Sequence, residues 1–239
     1  MTVLAPLVEV TLRGMLGRRR SILLVLLAGL PVLVALLIRV SGGRPDADRV
    51  LDTLVVRFVM ALVALIVGTG VIGSEIDDGT AVYLMIKPIA RWRIALSKAI
   101  VAAGLTALLV VPAVLLTGLL LSGRGDTMSI TVAFAVACLV GGSAYAVAFL
   151  ALSVFTSRAF LLGLAYVLIW EGVLAGLLEG TKFLSIRQAT LGLASALGAD
   201  IPGDPLASTI SLVVLAVVLV GGFLITSWRL AGFEIRGGD

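Results

Sequence analysis

The chain has no histidine and a single cysteine among its 239 residues. Without histidine it loses the commonest zinc ligand and the commonest general base. One thiol, Cys138 in the apolar stretch "ITVAFAVACLVGG", makes no intrachain disulfide and no metal cluster. It reads as a small buried hydrophobe. Charge is scarce as well: 13% of the residues are charged, where a soluble domain carries about 25%. That is too little to cover a surface facing water, so the solvent is lipid. Most enzyme classes weaken on these absences.

What is present is hydrocarbon: 60% of the residues are hydrophobic and the mean hydropathy is +1.20. Six runs approach the ~20 residues that cross about 30 Å of bilayer core. They are Ser21–Ile38, Thr53–Gly73, Ala99–Leu121, Ser129–Phe155, Ala159–Leu178 and Ser208–Trp228. Continuous apolarity without alternation predicts helices rather than a barrel. The expected fold is therefore an all-α membrane protein with six transmembrane helices. The first run follows Arg18–Arg20 like a signal peptide. No A-x-A site follows it and five more runs do, so it is expected to remain as a helix.

The net charge of +4 could suggest nucleic acid, but the bases lie in the connections between spans, where the positive-inside rule accounts for them. With both termini inside, Arg13, Arg18–Arg20, Lys87, Arg91, Arg93, Lys98, Arg158, Arg229 and Arg236 fall on the cytoplasmic side. These are eleven of the 18 bases. Residues 1–20 place Leu4, Leu7, Val8 and Leu12 near helical spacing beside arginines, which suits a helix lying in the inner interface. Outside, residues 179–207 form the longest connection. Its stretch "FLSIRQATLGLASALG" has apolar Phe183, Ile186, Leu191 and Leu197 and is too short to span. It is expected to dip into the outer leaflet or to lie on it.

One polar segment interrupts the oil: "GSEIDDGTAVYLMIKPIARWRIALSK", Gly73 to Lys98. Glu75, Asp77 and Asp78 crowd the end of the second span, where acids oppose the helix dipole. They are better explained by a partner or a cap than by the stability of their own helix. Gly79 can stop that helix and Thr80 can cap a new one. Val82, Met85, Ile86 and Ile89 then share one apolar face. Pro88 bends or restarts the chain. Arg91, Trp92 and Arg93 enter the third span at headgroup level. The pattern predicts a stop, a short amphipathic helix, a bend and re-entry into the membrane.

This segment resembles the signature of type-2 ABC transporter permeases, through Glu75, Gly79, Thr80, Leu84, Pro88, Arg91 and Lys98. Lys87 departs from the small or apolar residue common before that proline. Six spans, short connections, an amphipathic N-terminal segment and the outer segment between the fifth and sixth spans extend the resemblance to most of the chain. The resemblance implies a single permease domain over residues 1–239, with residues 74–98 as a coupling segment. In such families this inner helix docks on a separate ATP-hydrolysing subunit. It further implies two permease copies around a central path, export as the direction, and a bacterial cytoplasmic membrane. ATP and magnesium would belong to the partner subunits, with no cofactor in this chain. Consistently, no G-x-x-x-x-G-K-[ST] occurs. "GTGVIG" at Gly68–Gly73 matches G-x-G-x-x-G, but it closes an apolar run and reads as helix-packing glycine. The residues expected to meet the ATPase are Glu75, Asp77, Asp78, Val82, Met85, Ile86, Ile89 and Arg91.

Two charges fall inside spans, each costing ~2.5–3.5 kcal/mol or more at the bilayer centre. Arg57 lies about a turn inside the outer end of the second span, and Glu171 lies in the outer half of the fifth. Their similar depth suggests an ion pair or the polar lining of an outward gate. For Arg57 the alternative is snorkelling to the headgroups. Gly172, Gly176 and Gly180 repeat every four residues beside Glu171, which suits either a dimer seam or a flexible re-entrant bend. Tyr83, Tyr145 and Tyr166 carry no chemistry beyond packing or interface anchoring. An ion-coupled secondary transporter is the alternative function. It would want more intramembrane acids and an inverted repeat, and no clear repeat is visible. An intramembrane enzyme or an assembly factor stands further off.

Overall fold

The structure, a computed structural model, describes residues 18–42, 47–77, 91–121, 127–174 and 179–231. Over these residues the chain is helical, with no strand. Among the described residues, five helices are long and apolar enough to cross a membrane: Ser21–Val40, Ala47–Val71, Arg91–Leu121, Met128–Phe155 and Ser208–Ala231. The fifth of the six expected spans is, over its described length, the shorter apolar helix Ala159–Val173. The amphipathic N-terminal segment expected over residues 1–20 lies outside the described residues up to residue 17, and the helix begins at Arg18.

The fourth span, Met128–Phe155, is the hub. It packs against the second, third and last spans and against a short helix, Ile186–Ala196. Glycine permits the closest of these approaches. A Cβ on Gly68 of the second span would stand 2.6 Å from the Ala146 carbonyl of the fourth, a separation real side chains do not adopt. The "GTGVIG" glycine therefore serves helix packing. The first and last spans are peripheral, with Leu23, Leu26, Leu37, Val213, Val217 and Leu224 among their exposed apolar side chains. In lipid such exposure is what a span requires.

The connection before the last span differs from a surface-lying helix. After a 3-10 turn at Glu179–Leu184, Ser185 caps the helix Ile186–Ala196. Its side chain accepts the backbone N–H of Gln188 at 3.0 Å, the N-cap bond that satisfies an otherwise orphan donor. Ile186 and Leu191 of the expected apolar positions are buried, whereas Phe183 and Leu197 are exposed. The helix is inserted among the fourth span, the last span and the start of the second. It therefore re-enters the protein body instead of resting on it. Small residues allow this: a Cβ on Gly192 would meet the Leu206 carbonyl at 2.5 Å.

Candidate functional site

Two helical stretches wind more widely than an α-helix: Leu51–Met60 in the second span and Tyr166–Leu174 in the fifth apolar helix are π-helical. Such turns are uncommon and are frequent at functional sites. Here both carry polar side chains into the protein, Asp52 and Arg57 from the first, Tyr166 and Glu171 from the second. The re-entrant helix brings its N-terminus and Arg187 to the same end.

Glu171 is the centre of this arrangement, only 2% exposed. Its Oε1 accepts the Tyr166 hydroxyl at 2.9 Å, the Ile186 backbone N–H at 2.9 Å and the Arg187 backbone N–H at 3.5 Å. Its Oε2 accepts the Ser185 hydroxyl at 2.5 Å. Arg187 Nη1 returns to the backbone carbonyl of Glu171 at 3.4 Å. A carboxylate at a helix N-terminus meets unpaired N–H groups and the positive end of the dipole. The cost of burying the charge is offset by hydrogen bonds rather than by a salt bridge. Ser185 serves twice, accepting from Gln188 and donating to Glu171.

Tyr166 is held in place by an aromatic row. Its ring meets Phe149 edge-on at 6.4 Å between centroids, and Phe149 stacks on Tyr145 at 5.8 Å. Tyr145 is fully buried and lies within electrostatic reach of Glu171 and Arg187. Tyr145 packs as expected, and Tyr166 does more than the expected packing or interface anchoring. Tyr166 donates to the buried acid, and Tyr145 sits beside it.

The expected pair Arg57–Glu171 takes another form. Arg57 is not among the hydrogen-bond partners of Glu171, whose oxygens are taken by hydroxyl and amide donors. The guanidinium next to Glu171 is Arg187, 7% exposed, from the outer connection over residues 179–207. Arg57 lies instead within electrostatic reach of Arg187, and both lie within reach of Asp52. Burial holds the Arg187 guanidinium below its usual pKa, and the like charge of Arg57 pushes the same way. Asp52 and Glu171 oppose both.

The rest of the predicted site is distributed. Glu75 and Asp77 fall in the last turn of the helix Ala61–Asp77, where the sequence placed acids against the dipole. Asp78, Val82, Met85, Ile86 and Ile89 lie outside the described residues. Arg91 is half-buried at the start of the third span. There Trp92 is exposed and the Arg93 guanidinium lies 5.4 Å from its ring centroid. Lys98, about two turns on from Arg91, is 2% exposed, and its Nζ donates to the Val71 carbonyl at 3.4 Å. The second and third spans are thus tied together on either side of the Glu75–Arg91 segment. Gly172 is exposed, and an added Cβ would find only the Val167 carbonyl at 3.5 Å. Gly176 lies outside the described residues, and Gly180 is in the 3-10 turn. Among the described residues, no group of three His, Cys, Asp or Glu side chains is placed to hold a metal ion.

One end has a hydrogen-bonded acid beside the Arg187 guanidinium, the other a basic, tryptophan-bearing helix start. A family described as ABC-2 family transporter protein matches residues 16–179, which include the Gly73–Lys98 segment and Glu171. No curated protein matches the chain. The match spans more than half of the 239 residues, and the chain belongs to the ABC-2 transporter family, as a multi-pass membrane permease of an ABC transporter.

Proposed function

We propose that this chain is the path-forming subunit of an ATP-driven exporter, working as a dimer of two permease copies with two separate nucleotide-binding subunits. The observation that carries the reading is the family match across the segment between the second and third spans. ATP and magnesium would act in the partner, and this chain would turn their chemistry into helix motion. Glu75, Asp77, Asp78 and Arg91 supply charge for that docking, and Val82, Met85, Ile86 and Ile89 an apolar face. The Lys98–Val71 contact supports the idea, because a push on the segment would act on two spans already joined. Arg57 and Glu171 belong, in this reading, to the far gate, in a bacterial cytoplasmic membrane with both termini inside.

The test is co-purification. A tagged chain from its native host is expected to recover a P-loop ATPase. Val82→Asp together with Ile86→Asp is expected to abolish that recovery while leaving membrane insertion intact. Recovery of no ATPase by the unaltered chain, with uptake or efflux driven by an ion gradient, would establish the secondary-transporter reading instead.

A further inference from the structure

Two polar contacts meet at the Glu171 end, and they are built differently. In the first, the Glu171 carboxylate receives four donors, all from the fifth apolar helix or from Ser185–Arg187. That clasp joins the fifth helix to the re-entrant helix through charge-assisted hydrogen bonds. In the second, the re-entrant helix packs on the π-helical stretch Leu51–Met60 of the second span. There one carboxylate, Asp52, lies within electrostatic reach of two guanidiniums, Arg57 and Arg187. Asp52 Oδ1, Arg57 Nε and Arg187 Nε are all buried, and none has a hydrogen-bond partner within the protein. Atoms so placed gain by meeting water, whereas the saturated oxygens of Glu171 do not. Two guanidiniums held together also repel.

We infer that the Asp52–Arg57–Arg187 junction is the line along which this end of the permease parts. The re-entrant and fifth helices move as one clasped body, the second span separates from them, and water enters between the three charges. Why the end should open at all rests on the transport reading. The mechanics of the junction do not, and can be measured without it.

The chain carries its own reporter. Cys138 is its only cysteine and is fully buried. Residues three and four positions on share its helix face. Gly141 packs against Thr190 of the re-entrant helix, and Gly142 against Thr106 of the third span and Met60 of the second. This face of the fourth span therefore runs beneath the place where the second span and the re-entrant helix meet, and parting there is expected to uncover Cys138.

The experiment is the rate at which a charged, water-soluble maleimide labels Cys138 in nanodiscs holding the full chain. Circular dichroism and gel filtration serve as folding controls. Asp52→Asn leaves two guanidiniums without their carboxylate and is expected to speed labelling about tenfold or more. Arg57→Gln removes the repulsion and leaves Asp52 to Arg187, so labelling is expected to slow about threefold or more. A site that only supports the fold would respond to both losses in the same direction. Labelling that speeds in both variants, or that Arg57→Gln leaves unchanged, overturns the inference, and the Arg57 result decides even if Asp52→Asn does not fold. With a co-purified ATPase, ATP is expected to speed labelling of the unaltered chain. Opposite responses of the two variants with no response to ATP would keep the junction and refute the transport reading.

Discussion

The two ends of the bundle each bury a charge to the same depth and treat it differently. Glu171 and Lys98 are both 2% exposed. Glu171 sits at a helix N-terminus and receives two hydroxyls and two backbone N–H groups. Lys98 donates to Val71 O, a carbonyl in the last two turns of the helix Ala61–Asp77, at the longer distance of 3.4 Å. Both obey the same rule, anion to the positive end of a helix and cation toward the negative end. The acid is fixed by hydroxyl and amide donors from two elements, while the lysine reaches from the third span to a backbone carbonyl of the second. The first contact joins the fifth apolar helix to the re-entrant helix, and the second joins two neighbouring spans.

The comparison breaks most severely at Glu171. Glu171→Leu removes the acceptor of the Tyr166 and Ser185 hydroxyls and of the Ile186 N–H, leaving Tyr166 only the Leu184 carbonyl at 3.4 Å. Each buried donor left unpaired costs about 1–3 kcal/mol, and several are lost together. Thermal unfolding in detergent is expected to show that loss. Lys98→Met keeps a long apolar stem and gives up the bond to the Val71 carbonyl, a hydrogen bond from a charged group worth about 1.5–3 kcal/mol. A larger loss at Lys98 than at Glu171 would reverse the comparison. Ser185→Ala removes the N-cap and one donor to Glu171 together, at about 1–2 kcal/mol. Because Ser185 and Glu171 share one network, Ser185→Ala added to Glu171→Leu is expected to cost less than the sum.

Much of this was legible in the sequence, and the failures have definite causes. Apolar runs gave five of the spans, because length and hydrocarbon content decide crossing. Glu171 stood out because a buried charge must have a reason. Its partner did not, because depth counting compared spans with spans and paired it with Arg57. The true partners lie 14 to 16 residues on, in a stretch read as exterior. A signal existed there: Ser185-Ile186-Arg187-Gln188 has the S-x-x-Q form of a capping box, which marks a helix N-terminus able to receive an anion. Tyr166 was missed because its role depends on Phe149 of another helix holding its ring. The re-entrant course of Ile186–Ala196 was half legible. Its amphipathic pattern fits a surface helix as well as a buried one, and only the close approach at Gly192 separates the two.

Gly172 gives the smallest expected effect on stability and the sharpest contrast with its neighbour. Glu171 points into the protein and Gly172 points out of it, one residue apart, with Ile169 and Val173 also exposed on that helix. An added Cβ meets nothing closer than the Val167 carbonyl at 3.5 Å, so Gly172→Ala gives no clash within the chain. Replacing glycine in a helix interior gains up to about 1 kcal/mol from backbone entropy alone. The thermal midpoint is therefore expected to hold or rise slightly. If the outward face is a seam with a second copy, the bulkier Gly172→Leu forces the two backbones apart. Dimer recovery in cross-linking or light scattering should then fall while the midpoint of the chain itself stays put. A variant that lowers neither assigns Gly172 to the bend of its own helix, and the seam must be sought on another face. A variant that lowers the midpoint as much as Ser185→Ala would mean that the outer face of this helix is bound as tightly as the inner one, and the contrast between Glu171 and its neighbour would fail.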